Sequence, residues 1–450
     1  MKVGNAKYSW LIEGGCRLDS SFHMSEGRVY NKLIKNAPLG YKSLNQVTSE
    51  LFNGIRFKRY YVSNEELGIP FMGSSDMLKS SFDGLKYISK KLSKNVESLW
   101  IKEGWTLISC SGTIGNTVYA NADFVNKTAS QHILRVVPNG QLPSGYIYSY
   151  LSSKYGYALL TQGTYGAVIQ HIEPHHIENL PIPILPESKQ QEIHNLIVEA
   201  SNLRVEANKL LREATSYFEK EYKVEGFTKV FSKKVSDLSF SWASYNNNLE
   251  CDKIESSFQE QMTIGSVATK CFAPPLFKHI YLSKNNGHPF LTGAELTKFI
   301  KKYYRWLSPR GVKNINDYKV EKGTLLLYKS GTTDGGILGN VFIADDILHG
   351  ACLSDHVIRI STDDLRISYW LFAFLKSSSG IKLLQKMATG SMIPFITPDR
   401  LLQVKFPKPN DKLDWVFEKI EGYIEKSSES HRKELKAIDL VEKEIESWQK

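Results

Sequence analysis

The sequence contains few cysteines and no long apolar run. Among its 450 residues are five cysteines, Cys16, Cys110, Cys251, Cys271 and Cys352, which are odd in number and widely spaced. A disulfide framework or a cysteine zinc site needs paired or short spacings, so neither is expected. No apolar stretch approaches the roughly 18 residues of a membrane helix, and the first residues lack the apolar core of a signal peptide. We therefore expect a cytoplasmic protein without a membrane partner.

The sequence also lacks the motifs of common nucleotide and cofactor enzymes. It has no P-loop lysine motif, no dinucleotide glycine motif and no Asp/Asn-Pro-Pro-aromatic methyltransferase box. His171, His175 and His176 are close in sequence, but Pro174 interrupts any helical ligand spacing. We therefore predict no catalytic residue, no bound metal and no cofactor in this chain.

Basic residues exceed acidic ones. The 57 Lys and Arg residues against 47 Asp and Glu residues give a formal net charge of +10. This balance favours a polyanionic partner. The length corresponds to about two to four domains.

The chain is a tandem duplication. GIPFMGSSDM, from Gly68, recurs as GHPFLTGAEL from Gly287, and EGWTLISCSGT, from Glu103, recurs as KGTLLLYKSGT from Lys322, both 219 residues later. After a five-residue insertion the offset becomes 224, and it then pairs Arg135 with Arg359. We expect globular parts at residues 1–184 and 225–408, each followed by a long helix, at 185–224 and 409–450.

Short apolar runs in each copy, punctuated by Gly, Asn and Pro, predict the strands of a compact sheet. They lie at residues 105–110, 117–120 and 132–137, and their counterparts lie at 324–329, 341–344 and 356–360. A proline-rich segment then leads into each long helix. The predicted class is α+β, with a mixed sheet and short helices in each globular part.

Apolar residues follow a heptad spacing along each long helix, which calls for a partner helix. The predicted seam residues are Ile193, Leu196, Leu203 and Leu210 in the first helix, and Phe417, Ile420, Ile424, Leu435 and Ile438 in the second. A helix of about 36 residues is roughly 54 Å long. We predict an antiparallel coiled-coil spacer between the globular parts; an ordinary core-packing helix hairpin is the alternative.

Clusters of cations among aromatic residues, and two SGT loops that follow strands, are the candidate DNA contacts. Cations can neutralise phosphates, and loop amides and hydroxyls can approach them. A solvated charged face and a purely structural turn are the competing interpretations. The candidates are Arg56, Lys58, Arg59, Lys90, Lys91, Ser111 and Thr113 in the first copy, and Lys298, Lys301, Lys302, Tyr304, Arg305, Arg310, Lys329, Ser330 and Thr332 in the second.

The chain resembles the specificity subunit of type I restriction-modification systems. The resemblance rests on the G-[IH]-P-F tract, the strand followed by SGT..GN, the stretches Gly166–Ile177 and Gly390–Leu401, and the exit IPILPESKQQEI. It implies two target recognition domains that each read half of a split, asymmetric DNA site. It also implies helices that dock two methyltransferase subunits, which would bind S-adenosylmethionine for DNA methylation. Whether restriction or translocase subunits join the complex stays open. The second helix entry, from Pro409 to Asp414, lacks the Glu and Gln of the first, which makes its docking surface less certain.

Two other hypotheses are compatible with the sequence. The chain is a DNA-modifying enzyme with an unrecognised active site around SGTTDGG, or it is a protein-protein scaffold built on its coiled coil. The enzyme hypothesis predicts turnover or S-adenosylmethionine binding by the isolated chain. The scaffold hypothesis predicts no salt-sensitive DNA binding.

Overall fold

The computed structural model describes residues 7–13, 16, 18, 20–162, 171–224, 231–239, 241–303, 305–331, 338–390 and 392–448. The chain divides into two compact units. Unit 1 consists of Met1–Val205 and Glu429–Lys450, and unit 2 consists of Glu206–Ser428. Among the described residues, no helix has both the length and the apolar character needed to cross a membrane.

The strands are short, as expected for runs punctuated by turn residues. In unit 1 the described strands are β1 (Tyr41–Ser43), β2 (Thr48–Asn53), β3 (Tyr61–Val62), β4 (Gly68–Met72), β5 (Lys86–Ser89), β6 (Thr106–Ser109), β7 (Thr117–Tyr119), β8 (Thr128–Ala129), β9 (Ile133–Pro138) and β10 (Pro181–Pro183). In unit 2 they are β11 (Gln261–Thr263), β12 (Ala268–Phe272), β13 (Tyr281–Leu282), β14 (His288–Leu291), β15 (Arg305–Leu307), β16 (Leu325–Tyr328), β17 (Val341–Ile343), β18 (Cys352–Leu353), β19 (Val357–Thr362) and β20 (Lys405–Pro407).

The helices fall into short connecting helices and two long ones. The first half of the chain contains α1 (Tyr8–Glu13), α2 (Ser20–His23), α3 (Glu26–Lys35), α4 (Ser144–Ser152), α5 (Lys154–Gln162), α6 (Pro174–Ile177) and the long α7 (Glu187–Glu221). The second half contains α8 (Leu249–Ser256), α9 (Ile264–Val267), α10 (Gly293–Leu296), α11 (Leu365–Lys376), α12 (Ser378–Lys386), α13 (Pro398–Leu401) and the long α14 (Leu413–Ser447).

The two units have the same strand topology. Unit 1 has four-stranded sheets in the orders β2-β9-β6-β7 and β3-β5-β4-β8, and unit 2 has the matching orders β12-β19-β16-β17 and β13-β15-β14-β18. In each unit one sheet is antiparallel throughout. The other contains one parallel pair, with Phe71 opposite Thr128 in unit 1 and Phe290 opposite Cys352 in unit 2. The predicted α+β class with mixed sheets, and the duplication, are therefore confirmed.

A repeated glycine shows why the GIPF and GHPF tracts recur. A Cβ on Gly68 would lie 2.4 Å from the Cβ of Tyr87, and a Cβ on Gly287 would lie 2.6 Å from the Cβ of Trp306. Each pair joins neighbouring antiparallel strands, β4 with β5 and β14 with β15. The close approach of the two strands at this point therefore leaves no room for a side chain at Gly68 or Gly287.

The two long helices begin and end two to four residues inside their predicted ranges, 185–224 and 409–450, and in each unit they run antiparallel. In unit 1, Lys189 pairs with Glu444, and the Nζ of Lys433 lies 2.9 Å from the carboxylate of Glu199. In unit 2, Lys426 pairs with Glu206 and Lys419 with Glu213, each at 2.6 Å. Residue numbers rise along one helix as they fall along the other, which is the antiparallel register.

The buried face of α7 contains only one of the four predicted seam residues, Ile193. The fully buried series is Ile193, Ile197, Ala200, Arg204, Ala207, Leu211, Ala214 and Phe218, whereas Leu196, Leu203 and Leu210 are half-buried. In α14, Ile420, Ile424 and Ile438 are buried, and Phe417 and Leu435 are half-buried. The shift arises because α7 packs on the globular core of each unit as well as on α14: Ile197 belongs to the core of unit 1, and Leu211 and Phe218 to that of unit 2.

Candidate nucleic-acid interface

The SGT loop of unit 1 is a tight turn between β6 and β7. The backbone N–H of Asn116 donates to the Oγ of Ser109 at 3.0 Å, and the side-chain amide of Asn116 donates to the carbonyl of Thr113 at 3.1 Å. Gly112 and Gly115 have φ values of +74° and +80°, a conformation that favours glycine. The geometry of the turn leaves Ser111 half-buried and Thr113 exposed.

A chain of polar side chains extends from this loop. The Oγ of Ser111 lies 2.9 Å from the Nδ1 of both His132 and His171. The Nε2 of His132 lies 3.0 Å from the side-chain nitrogen of Gln131. The guanidinium of Arg59 donates to the Oε1 of Gln131 at 2.7 Å. We call these five residues the Ser111 network. It contains two predicted DNA contacts, Arg59 and Ser111. The other three members, Gln131, His132 and His171, were not among the predicted contacts.

Burial and nearby charges favour the neutral form of His132 within the Ser111 network. Burial lowers the pKa of His132, and the nearby positive charges of Arg59, His171 and Arg56 lower it further. A neutral imidazole has one donor and one acceptor nitrogen, so the network can present both to a partner. The positive charge of the region then comes from its arginines.

The neighbouring thiol is unsuited to nucleophilic chemistry. Cys110 is buried, and this burial raises its pKa to about 11, with a smaller contribution from the charge of Glu173. The thiolate, not the thiol, is the nucleophile, so the group stays unreactive near neutral pH. Glu173 itself accepts a hydrogen bond from the side chain of Asn53 at 2.7 Å.

The backbone of unit 2 repeats this arrangement with different side chains. The backbone N–H of Cys110 donates to the carbonyl of His132 at 3.0 Å, and that of Lys329 donates to the carbonyl of His356 at 2.9 Å. Isolated bridges pair Ser111 with His171 in unit 1 and Ser330 with Phe395 in unit 2. A phenylalanine therefore occupies the histidine position.

One more position of the network differs in charge between the units. The 224-residue offset aligns Gln131 with Asp355, whose carboxylate lies 3.8 Å from the Nε2 of His356. Asp355 is buried and His356 is exposed. The two units thus share one frame with different hydrogen-bonding groups.

Most of the predicted cations of unit 1 are at the surface. Arg56, Lys58, Lys90 and Lys91 are exposed, and Arg59 is half-buried. The Nζ of Lys58 lies 5.1 Å from the ring centroid of Tyr60, and the Nζ of Lys90 donates to the carbonyl of Glu66 at 2.9 Å. Lys58 therefore lies beside an aromatic ring. A nucleic-acid contact at this position stays a prediction.

The basic run of unit 2 is more integrated into the fold than its sequence suggests. Arg310 is exposed, whereas Lys298, Lys301 and Lys302 are half-buried. Arg305 lies 3.9 Å from the carboxylate of Glu295 and 5.9 Å from the ring centroid of Tyr281. Lys329 and Ser330 are half-buried beside His356. Tyr304 and Thr332 lie outside the described residues.

Two aromatic residues of the same run serve the core instead. Phe299 is buried, and the hydroxyl of Tyr303 donates to the carbonyl of Ile347 while its ring packs on a cluster around Leu291. Alternation of cations and aromatics in the sequence therefore does not place both on one surface.

The histidines of α6 have a local structural role. His176 accepts a hydrogen bond from the backbone N–H of Glu173 at 2.9 Å and so caps this short helix. Its ring contacts that of His175, with centroids 4.0 Å apart. Within the part of the chain that the structure describes, no group of three or more His, Cys, Asp or Glu residues has an arrangement that could hold a metal ion.

This fold and site define a class: an α+β unit that carries a polar network beside surface cations. Residues 46–212 match the family model described as "Type I restriction modification DNA specificity domain". The matched segment contains β2 to β10, the Ser111 network and about the first three-quarters of α7. This part of the chain is therefore similar to a type I restriction modification DNA specificity domain.

Solved structures of type I restriction-modification subunits align with most of the chain at low sequence identity. The S subunit of the type I restriction-modification system from M. genitalium is 14% identical, covers 91% of this chain and 96% of its own, and has a TM-score of 0.36. The HsdS subunit from Thermoanaerobacter tengcongensis is 13% identical, with 90% and 96% coverage and a TM-score of 0.28. A chain from a study of complex assembly and conformational transition in the type I R-M system is 14% identical, with 91% and 97% coverage and a TM-score of 0.28. No curated protein matches the sequence significantly.

Proposed function

We propose that the chain is a non-catalytic DNA-recognition subunit that reads a bipartite, asymmetric site, one half with each unit. The observation that carries this proposal is one strand topology built twice, with different polar side chains at matching positions. Gln131 aligns with Asp355 and His171 with Phe395. Base edges are distinguished by hydrogen-bond donors, acceptors and apolar contacts, so such a pair of units would select two different sequences.

The surface cations supply the sequence-independent part of binding in this proposal. Arg56, Lys58 and Lys91 of unit 1 and Arg310 of unit 2 are exposed. Phosphate contacts of this kind position a protein on DNA without specifying sequence. The network residues, which are less exposed, would then contact base edges.

The long helices have two roles in the proposal. Residues 185–224 and 409–450 act as the spacer between the recognition domains at 1–184 and 225–408, and they dock two methyltransferase subunits. S-adenosylmethionine is bound by those partners, because this chain contributes no cofactor motif. The ion pairs along both helices support a spacer of fixed register.

The test is the DNA motif methylated in cells that carry the chain and its methyltransferase partner. Gln131→Asp or His171→Phe, which copy unit 2 at matching positions, should change one half of the motif and leave the other half and the spacer unchanged. Asp355→Gln should change only the opposite half. Arg310→Ala serves as the control, because loss of a phosphate contact lowers the extent of methylation without altering the motif. A motif unaffected by all three network variants would contradict the assignment.

The alternative DNA-modifying enzyme makes a different prediction for the same protein. Residues 332–337 of its suggested site around SGTTDGG lie outside the described residues, and the buried Cys110 beside the other SGT loop is a protonated thiol. Labelled S-adenosylmethionine incubated with the isolated chain and DNA separates the hypotheses. We expect no methyl transfer until the methyltransferase subunit is added.

A further inference from the structure

Unit 2 exposes an apolar tip in the segment that follows Gly390. Met392 is 93% exposed, Ile393 is 68% exposed and Phe395 is 36% exposed. Together with Pro394 these residues form an uninterrupted apolar sequence, Met392–Phe395, which we call the 392–395 tip. Two large aliphatic side chains with this exposure have no role in the core of the unit.

The base of the 392–395 tip is firmly held. The backbone groups of Thr389 and Phe395 exchange two hydrogen bonds of 2.8 Å. The carbonyl of Pro394 accepts from the N–H of Gly331 at 3.1 Å, and the N–H of Ile396 donates to the carbonyl of Lys329 at 2.7 Å. The backbone thus fixes the direction of the tip relative to the SGT loop of the same unit.

The polar residues Ser330, Lys329 and His356 lie near the base of the tip in the fold. Ser330 forms the bridge to Phe395, and Lys329 is hydrogen-bonded through its backbone to His356, whose side chain is 64% exposed. An apolar projection with such a rim matches duplex DNA, which offers apolar stacked bases between charged phosphates. A protein partner would need about 800 Å² of surface, far more than two projecting side chains provide.

We propose that Met392 and Ile393 are a wedge that enters between adjacent base pairs when unit 2 binds DNA. Proteins that bend DNA insert Met, Ile, Phe or Pro side chains into a base step, usually from the minor groove, and partly unstack it. In this proposal Lys329 and His356, which lie near the foot of the tip, contact the DNA backbone next to the opened base step. This proposal rests on the proposed DNA-recognition function and adds distortion of the duplex to it. Flexible pyrimidine–purine steps are the favoured sites of insertion, because they unstack at the least cost.

The experiment uses the full chain without partner subunits. The DNA duplexes carry the motif that the methylation test identifies. A 2-aminopurine is placed at successive steps of the half-site read by unit 2, and its fluorescence rises where stacking is lost. Binding of the wild-type chain should raise the signal at one step. Met392→Ser with Ile393→Ser should abolish this signal and weaken binding by about tenfold or more, because two aliphatic side chains no longer leave water.

The salt dependence separates the wedge from a phosphate contact. The double variant should keep the wild-type slope of log K against log salt concentration, whereas Lys329→Ala should flatten it by about 0.9. Met392→Leu with Ile393→Val should retain the signal, since the wedge stays apolar. Leu365→Ser, which changes another exposed aliphatic residue of unit 2, is the matched control and should leave binding and signal unchanged.

Three results would overturn the wedge. The first is an unaltered signal and affinity in the serine variant, and the second is a wild-type chain that binds the motif without any rise in fluorescence. The third is a serine variant that binds DNA normally but no longer retains the purified methyltransferase subunit, because the tip would then be a protein contact. A wild-type chain with no salt-sensitive affinity for the motif would instead refute the proposed function itself.

Discussion

Arg135 and Arg359 lie in the core of their units, where long cationic side chains are rarely found. Arg135, in β9, donates to the carbonyls of Ser130 and of Ala129 in β8, a strand of the other sheet. Arg359, in β19, donates in the same way to Ser354 and to Leu353 in β18. Burial lowers the pKa of each guanidinium to about 10, so both remain charged at neutral pH. Each arginine therefore joins the two sheets of its unit through backbone carbonyls.

Arg135→Met should destabilise unit 1 by about 2 kcal/mol or more, because the carbonyls of Ala129 and Ile133 lose their arginine donor and each buried carbonyl left without a donor costs about 1–3 kcal/mol. The measurement is urea unfolding of the full chain, followed by the fluorescence of a tryptophan in that unit. Arg56→Met changes an exposed arginine and should have little effect on stability. An Arg135→Met variant as stable as the wild type would show that water satisfies these carbonyls.

His132 should make unit 1 less stable in acid. Its pKa is lowered in the folded state, chiefly by burial and then by the charge of Arg59, so the unfolded chain takes up the proton first. Stability is therefore highest above the ordinary histidine pKa of about 6.5, falls as the pH drops below it, and levels off below the folded-state pKa. Unfolding free energies between pH 8 and pH 5 should fall less steeply in His132→Gln, as roughly expected when one titrating group is removed. Equal slopes would assign the acid sensitivity to other groups.

At the scale of elements, the long helices bury charged residues in unit 1 where unit 2 has uncharged ones. In unit 1, Glu434 of α14 accepts a hydrogen bond from the hydroxyl of Tyr148 and lies near the guanidinium of Arg204 in α7. All three residues are buried. The 224-residue offset matches them with Phe372, Ser428 and the half-buried Leu210 of unit 2. This difference makes the pairing in unit 1 sensitive to charge.

Glu434→Leu should cost about 3–5 kcal/mol, because the charge of Arg204 is then left buried without its acid. The triple variant Tyr148→Phe, Arg204→Ser and Glu434→Leu copies the residues of unit 2. It should recover most of this loss, since replacing a whole buried ionic group by matched residues is often neutral. Both are compared by denaturant unfolding of the full chain. If the triple variant is less stable than Glu434→Leu alone, the contacts among Tyr148, Arg204 and Glu434 stabilise unit 1 more than the residues of unit 2 can.

The spacer proposal predicts that longer helices move the half-sites apart. Duplicating the heptad 210–216 of α7 together with 416–422 of α14 adds about 10.5 Å, or up to about three base pairs. This part of the helices suits the insertion, because Leu211, Ala214 and Ile420 are apolar there, whereas a heptad containing Arg204 would bury a second cation. The methylated motif should keep both half-sites and gain a longer spacer. Retained methylation with an unchanged spacer would show that the helices do not set the distance.

At the scale of the whole molecule, the duplication gives two units with equal architecture and different surfaces. The net charge of +10 lies on a chain whose sheets, buried arginines and helix registers recur, while network residues differ. A subunit that supplies recognition to a separate enzyme needs this combination, because the frame must be constant and the readout must vary.

Exchanging the proposed recognition residues between the units tests this view of the molecule. A chain with Gln131→Asp and His171→Phe in unit 1, and Asp355→Gln and Phe395→His in unit 2, should direct its methyltransferase partner to a motif altered in both halves with the spacer length unchanged. Motif sequencing of methylated genomic DNA gives the result. An altered spacer would show that network residues influence helix packing, and the thermal stability of the variant provides the control for folding.

The sequence by itself determined the duplication, the fold class, the positions of six of the twenty described strands and the approximate extent of both long helices. These features depend on local patterns: short apolar runs, heptad spacing, glycine and proline at turns, and motifs repeated at offsets of 219 and 224. Arg135 and Arg359 were visible as a repeated pair, but nothing in their sequence context indicates that carbonyls from another sheet surround them.

Only the tertiary structure decided which face of each element is buried and which side chains meet. The seam of α7 includes Ile197 and Arg204 rather than Leu196 and Leu203, because the helix packs on a sheet core and on α14 at once. Likewise Tyr303 turns inward, and Arg59 reaches Gln131 across 72 residues of sequence. Such contacts depend on the packing of segments distant in sequence, and the heptad spacing and charge pattern of one segment do not contain that information.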